Sequence, residues 1–121
     1  MSLNRKMLDD TLILSDDSGQ ILSVRETEQD DRIRIILEGS LKSETAHDFE
    51  DELTAFAVLG MDLLVDFEKV TYLSSACTRV LLQIQQKIDG TGKGSLILKN
   101  LPDPIRDEME KTGVLELLLT E

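Results

Sequence analysis

The sequence is poor in the residues that many binding and catalytic chemistries need. It has one cysteine, one histidine and no tryptophan, and its aromatic residues are one tyrosine and three phenylalanines. One cysteine cannot form an internal disulfide, and one cysteine with one histidine cannot supply a zinc site. Few aromatic rings leave little surface on which bases or sugars could stack. The composition therefore argues against a disulfide scaffold, a metal site and a stacking platform.

Positive charge is also scarce. The chain has 13 Lys and Arg residues against 24 Asp and Glu residues, a net charge of -11. Such a balance is unfavourable for binding phosphates or an anionic lipid surface. No apolar run approaches the roughly 20 residues of a membrane-spanning helix, and residues 1–20 lack the basic and apolar regions of a signal peptide. We therefore expect a cytoplasmic protein that binds no nucleic acid and does not insert into a membrane.

Apolar residues are abundant enough for one compact domain, at 40% of 121 residues. Alternating apolar residues predict an antiparallel hairpin from residues 21–27 and 32–37. Nearly continuous apolar runs at residues 63–67 and 95–99 are typical of central strands that are covered on both faces.

Spacings of three and four between apolar residues predict three helices. The first has its N-cap at Ser43 and ends near Gly60, and the second runs from about Ser75 to residue 88. The third has Asp103 as its N-cap and Pro104 at its first position. Residues 114–118 fit either a short helix or an edge strand.

Strands that alternate with helices imply parallel crossovers, to which the hairpin adds an antiparallel edge. The predicted fold class is α/β, with a four- or five-stranded mixed sheet and helices packed mainly on one face. Residues 1–20 are predicted to be an N-terminal extension or an extra strand, and residues 21–121 to be the domain. We expect a monomer or a weak dimer.

No catalytic, metal-binding or cofactor-binding motif is present. The glycine-rich stretch 90–95 lacks the first glycine and the Ser or Thr of a Walker loop, and it precedes a strand instead of a helix, which favours a connector. His47 has no nucleophile near it in sequence and is interpreted as a surface residue. Cys77 falls on the inward stripe of the second helix, which favours a buried core thiol. We therefore predict that the protein is not an enzyme and needs no cofactor.

The segment Val70–Leu82 is the most informative part of the sequence. It is a predicted strand-to-helix turn with two hydroxyls, Ser74 and Ser75, where the first helical amides need acceptors. Simple capping is one interpretation. The other is that one hydroxyl carries a phosphate, because a helix N-terminus stabilises negative charge.

The run Tyr72-Leu-Ser-Ser-Ala-Cys-Thr-Arg-Val-Leu-Leu82 resembles the characteristic segment of the STAS domain, the fold of bacterial anti-sigma factor antagonists. The turn at residues 37–41, the strand end at residues 66–70 and the closing segment 101–118 are similar to that family as well, so the resemblance covers about residues 21–118. In this resemblance Ser75 matches the phosphoacceptor serine, with Ser74 as the second choice. Ser74 occupies the place of a frequent Asp, and Cys77 that of the usual Gly.

The resemblance implies a regulatory protein-binding module. In this family the unphosphorylated domain binds an anti-sigma factor that is also a Ser/Thr kinase, and phosphorylation of the serine breaks the complex. The predicted partner-binding residues are Ser74, Ser75, Thr78, Arg79, Leu82, Gln83, Gln86 and Gly39. The alternative is an accessory STAS subunit of a transporter, sensor or lipid-trafficking complex, in which Ser75 only caps the helix.

Overall fold

The computed structural model describes residues 4–8, 11–16, 19–29 and 32–120. These residues form one seven-stranded sheet and three α-helices. The strands are β1 (Asn4–Leu8), β2 (Thr11–Asp16), β3 (Gly19–Gln29), β4 (Arg32–Leu41), β5 (Asp62–Leu73), β6 (Leu96–Lys99) and β7 (Leu119–Thr120). The helices are α1 (Ala46–Ala57), α2 (Ser75–Thr91) and α3 (Asp103–Lys111), and short 3-10 turns span Ser43–Thr45 and Val114–Leu117.

The strands lie side by side in the same order as in the chain. Pairing is antiparallel from β1 to β4 and parallel from β4 to β7. The predicted hairpin is β3–β4, and the two predicted central strands pair in parallel as β5 and β6. The predicted strand number of four or five is too low, because residues 4–16 supply two strands and residues 119–120 a third short one. The predicted boundary between residues 20 and 21 falls inside β3.

One face of the sheet is fully buried and the other is only partly covered. Alternate residues of β2 to β6 point to the same face, and the register aligns Leu12 with Val24, Val24 with Leu37 and Val65 with Leu98. All five of these side chains are at most 1% exposed. Parallel crossovers are almost always right-handed, so the strand order β4-β5-β6-β7, which advances in one direction, is expected to place the connecting helices on one face. The inward stripes of α1, α2 and α3 belong to the same apolar core as these strands, which confirms the predicted layering.

Two predicted helix starts are wrong by a few residues. A 3-10 turn at Ser43–Thr45 precedes α1, and the hydroxyl of Thr45, not Ser43, bonds locally, to the carbonyl of Lys42 at 2.8 Å. Helix α3 has Pro102 at its N-cap position, so Asp103 is the first helical residue. In both places more than one residue near the turn could begin the helix. The position of a hydroxyl or a carboxylate alone does not determine which residue is the N-cap.

The N-terminal strands are tied to the first helix by an ion pair. Arg5 donates to Asp48 at 2.9 Å and also to Glu52, so this cation bridges β1 and the acidic side of α1. His47, in the same helix, has a side chain that is 84% exposed and lies 3.4 Å from Asp51, as a surface histidine.

A buried carboxylate in β5 joins that strand to β4 and to the loop after β6. Asp66 is 3% exposed and accepts hydrogen bonds from Arg34 at 2.8 Å, from Asn100 at 3.2 Å and from the amide of Glu68 at 3.0 Å. Burial on its own raises the pKa of Asp66, but these three donors together hold that pKa below its ordinary value.

The glycine-rich loop is a close connection between α2 and β6. Helix α2 continues through Gly90, beyond its predicted end, and stops at Gly92, which is left-handed with φ 71°. Gly94 has φ 80°, and a Cβ atom on it would lie 2.5 Å from the carbonyl oxygen of Met61. The glycine at position 94 is therefore required by close packing of two backbones.

No helix in the described ranges is long and apolar enough to cross a membrane. Within the same ranges, His, Cys, Asp and Glu side chains form no group that could hold a metal ion.

Candidate functional site

The junction between β5 and α2 is organised around Ser74. This residue is extended and is the N-cap of α2, and its hydroxyl accepts a hydrogen bond from the amide of Cys77 at 3.2 Å. Its own amide donates to the carbonyl of Leu41 at 2.8 Å, which fastens the junction to the end of β4. Ser74 is 3% exposed. The capping function predicted for two serines therefore belongs to Ser74, and its side chain does not reach the surface.

Ser75 is the first residue of α2 and is exposed. Among the described residues its hydroxyl has no hydrogen-bond partner, because Ser74 already serves as the cap. The first amides of a helix carry partial positive charge, so added negative charge at this position is stabilised by the helix. The geometry thus leaves a free hydroxyl at an electropositive helix end.

The residues behind the two serines are held by hydrogen bonds. Cys77 is fully buried, and its thiol donates to the carbonyl of Lys42 at 3.4 Å. Burial raises the pKa of this thiol, an effect that hydrogen bonds with Ser74 and Thr45 only partly offset. A neutral thiol of this kind is a poor nucleophile. Thr78 is half-buried, and its hydroxyl donates to the carbonyl of Ser74 at 3.1 Å.

The C-terminal ends of β4 and β5 lie side by side, at the end of the sheet where Ser75 follows β5. Gly39 pairs with Val70, and Ser40 pairs with Tyr72. Gly39 has φ 122°, and its carbonyl accepts a hydrogen bond from Thr71 at 3.2 Å. The predicted contact residue Gly39 is therefore near the junction in the fold, although it is more than thirty positions away in sequence.

A groove of about 560 Å³ lies between α2 and α3, and Ser75 is one of the residues that line it. We call it the α2–α3 groove. Four of the predicted contact residues line it at helical spacings of three and four: Ser75, Thr78, Arg79 and Leu82. The α3 side is formed by Pro104, Ile105, Glu108, Met109 and Thr112, and the lining is completed by Thr71, Tyr72, Leu73 and Val114.

Four predicted contact residues lie outside the groove, and one of them is the buried cap Ser74. Gln83 and Gln86 are exposed on α2, where Gln86 continues the lining face by one further turn, and Gly39 is at the end of β4. Sequence reasoning missed Tyr72, which is 54% exposed, and Glu108 as members of this surface. Positions 104, 105, 108, 109 and 112 share one helical face, but only the order of the strands places α3 beside α2.

The family model described as "Mlab, STAS domain" matches residues 24–120. The chain therefore belongs to the STAS domain family. No curated protein sequence matches the chain.

Solved structures with the same fold include an anti-sigma factor antagonist from Mycobacterium paratuberculosis, with 17% identity, a TM-score of 0.70 and 88% of each chain covered. The phosphorylated form of the Bacillus cell fate determinant SpoIIAA has 14% identity and a TM-score of 0.62, over 81% of this chain and 90% of that one. A variant of RsbS from Moorella thermoacetica has 20% identity and a TM-score of 0.66, over 81% and 85%. At these identities the likeness concerns the fold.

Proposed function

We propose that this protein is a cytoplasmic regulatory module, an anti-sigma factor antagonist whose binding to its partner is controlled by phosphorylation of Ser75. The observation that carries the proposal is the free, exposed hydroxyl of Ser75 at the N-terminus of α2, next to a serine that already caps the helix. The partner is an anti-sigma factor with Ser/Thr kinase activity. The module itself performs no catalysis.

The control is electrostatic and local. A phosphate on Ser75 adds about -1.5 to -2 charges and three acceptor oxygens to the lining of the α2–α3 groove. The helix end tolerates this group in the free protein, whereas a docked partner would have to desolvate or displace it. A penalty of roughly 3 kcal/mol weakens a complex more than a hundredfold.

Binding of the chain to the anti-sigma factor kinase from its own genome, measured by calorimetry, tests the proposal. Ser75→Ala should bind like the parent, because docking uses the unmodified surface, and Ser75→Asp should bind about a hundredfold more weakly. Ser75→Asn is the matched control, since it has the size of Asp without the charge. Mass spectrometry after incubation with the kinase and ATP should find one phosphate, which is absent from Ser75→Ala. Equal affinities of the Asp and Asn variants would contradict control by charge at Ser75.

The accessory-subunit function remains a second candidate, because the matching family model is described as Mlab and not as an anti-sigma factor antagonist. The accessory-subunit function would be distinguished by a partner affinity that changes neither after incubation with ATP nor in the Ser75→Asp variant.

A further inference from the structure

Arg79 lies one helical turn after Ser75, on the same side of α2. Both residues are exposed, and both line the α2–α3 groove. Residues four positions apart on a helix have Cβ atoms about 5–6 Å apart, and helical side chains lean toward the N-terminus of the helix. The long side chain of Arg79 is therefore directed toward the turn that carries Ser75.

The positive charge of Arg79 is available for binding an anion. Arg79 belongs to no ion pair in the part of the chain that the structure describes. Among the described residues that line the groove, Arg79 is the only Lys or Arg, and the only carboxylate is that of Glu108 on α3. An anion at Ser75 would thus have Arg79 as its cationic neighbour within the groove.

The first turn of α2 supplies backbone donors at the same place. Ser74 caps the amide of Cys77, and this leaves the amides of Ser75 and Ala76 without an acceptor among the described residues. Such amides carry partial positive charge and bind phosphate oxygens. A phosphate on Ser75 would therefore have backbone donors on one side and the guanidinium of Arg79 on the other.

We propose that Arg79 is a positioning residue of the phosphorylated state, in which its guanidinium pairs with the phosphate on Ser75 and holds it against the first turn of α2. A planar guanidinium can donate two parallel hydrogen bonds to a phosphate, which an ammonium cannot do. The pairing favours the doubly charged phosphate, the form that is most costly for a docking partner to desolvate. The proposal rests on the proposed function for the modification itself. It adds the residue of this chain that binds the modified group.

Titration of the phosphate by phosphorus NMR measures this pairing. Phosphoserine is incorporated at position 75 of the full chain by suppression of an amber codon, so neither a kinase nor a partner is needed. A neighbouring cation stabilises the phosphate dianion and so lowers the pH at which that dianion takes up a proton. The charged and titratable groups that line the groove with Ser75 are Arg79 on α2, Glu108 on α3 and Tyr72 on β5.

Loss of the guanidinium should make the phosphate easier to protonate. Arg79→Gln should raise the midpoint of the titration by about 0.5 pH units. Arg79→Lys should keep part of the difference, because an ammonium supplies the charge without the planar pair of donors. Glu108→Gln should lower the midpoint, since removal of a nearby negative charge also favours the dianion. A residue that only stabilised the helix would not move the midpoint in these directions.

Two control variants remove a positive charge outside the groove lining. Lys87 lies about 18 Å from Ser75 along the axis of α2, and Lys87→Gln should change the midpoint by less than about 0.1 pH units. Lys42 follows β4 at the junction and is the competing cation, and Lys42→Gln should give a smaller rise than Arg79→Gln. Far-UV circular dichroism verifies that each variant is folded.

Equal midpoints for the parent and Arg79→Gln would overturn the proposal, as would a larger rise for Lys42→Gln than for Arg79→Gln. The titration uses a phosphate that is already in place, whereas the phosphorylation switch is tested by kinase treatment and partner affinity. A failure of the pairing is therefore distinguishable from a failure of the proposed function.

Discussion

Ser74 and Ser75 are neighbours in the chain and have opposite environments. The amide of Ser74 is held by the carbonyl of Leu41, and its hydroxyl accepts from the amide of Cys77, so this residue joins two strand ends to a helix. Ser75, one position later, is turned to solvent. The cap is thus Ser74, and the hydroxyl of Ser75 is left available for the phosphorylation that we propose.

Removal of the cap should reduce stability. Ser74→Ala leaves the amide of Cys77 without its acceptor, and we expect a loss of about 1 kcal/mol, or roughly 4 °C in melting temperature. Ser75→Ala is the matched control and should change the free energy of unfolding by less than about 0.5 kcal/mol. Thermal and urea denaturation of both variants would measure these changes. A larger loss for Ser75→Ala would show that the capping assignment is wrong.

The local sequence was sufficient to predict a helix start with a serine cap at this junction. It was not sufficient to decide which serine is the cap, because both carry the same hydroxyl. The decision comes from the bond between Ser74 and Leu41, which joins residues far apart in sequence. The capping function predicted for Ser43 is wrong for a local reason: a 3-10 turn precedes α1, and the hydroxyl that bonds there is that of Thr45.

At the scale of elements, the loop from α2 to β6 is fixed by its glycines. Gly90 lies within the helix and has open space around it, whereas Gly92 and Gly94 both have positive φ. Of these two, only Gly94 touches another backbone, that of residues 60 and 61 before β5. Substitutions at the three positions therefore test three different properties: helix propensity at Gly90, backbone conformation at Gly92 and close packing at Gly94.

Alanine substitutions at these glycines should give three different results. Gly90→Ala should raise the free energy of unfolding by up to about 1 kcal/mol, because Ala is the better helix former. Gly92→Ala should lower it by about 1 kcal/mol for the left-handed conformation alone. Gly94→Ala should lower it by more than 2 kcal/mol, since the new methyl group would overlap the carbonyl of Met61. Urea denaturation of the three variants would measure the order, and equal losses at positions 92 and 94 would contradict the packing argument.

The elements with a clear apolar pattern were predictable, and those without one were not. Strands β3, β4 and β6 and all three helices show buried residues at periods of two or of three to four, so sequence reasoning located them to within a few residues. Strand β5 was found from its continuous apolar run at residues 63–67, but it extends to Leu73, because its last residues are mostly exposed and lack that signal. Strand β1 is exposed at all five positions and so carries no such signal. What holds it is pairing with β2 and the contact of Arg5 with α1, which are features of the assembled sheet.

At the scale of the whole molecule, Asp66 contributes to the pH dependence of folding. Its pKa in the folded protein is lowered from 3.8, so the stability that it supplies is present above that value and is lost as the pH falls through the lower folded pKa. Asp66→Asn should reduce the free energy of unfolding by about 2 kcal/mol near neutral pH. The difference between parent and variant should shrink below about pH 4.

Urea denaturation of parent and Asp66→Asn between pH 7 and the acid limit would measure this difference. Asp62→Asn, in the same strand and without an ion pair among the described residues, is the control and should follow the parent at every pH. A constant difference down to the lowest pH would contradict the contribution assigned to Asp66.

The agreement between chain order and strand order also bears on how the molecule forms. Each strand pairs with the one synthesised immediately before it, so the sheet can grow at a single edge as the chain leaves the ribosome. No strand has to be inserted between two that are already paired, and each parallel pair closes over a single crossover of about 20 residues. Contacts between elements that are neighbours in sequence favour rapid folding. The apolar surface of each strand therefore does not stay exposed until a distant partner strand is synthesised.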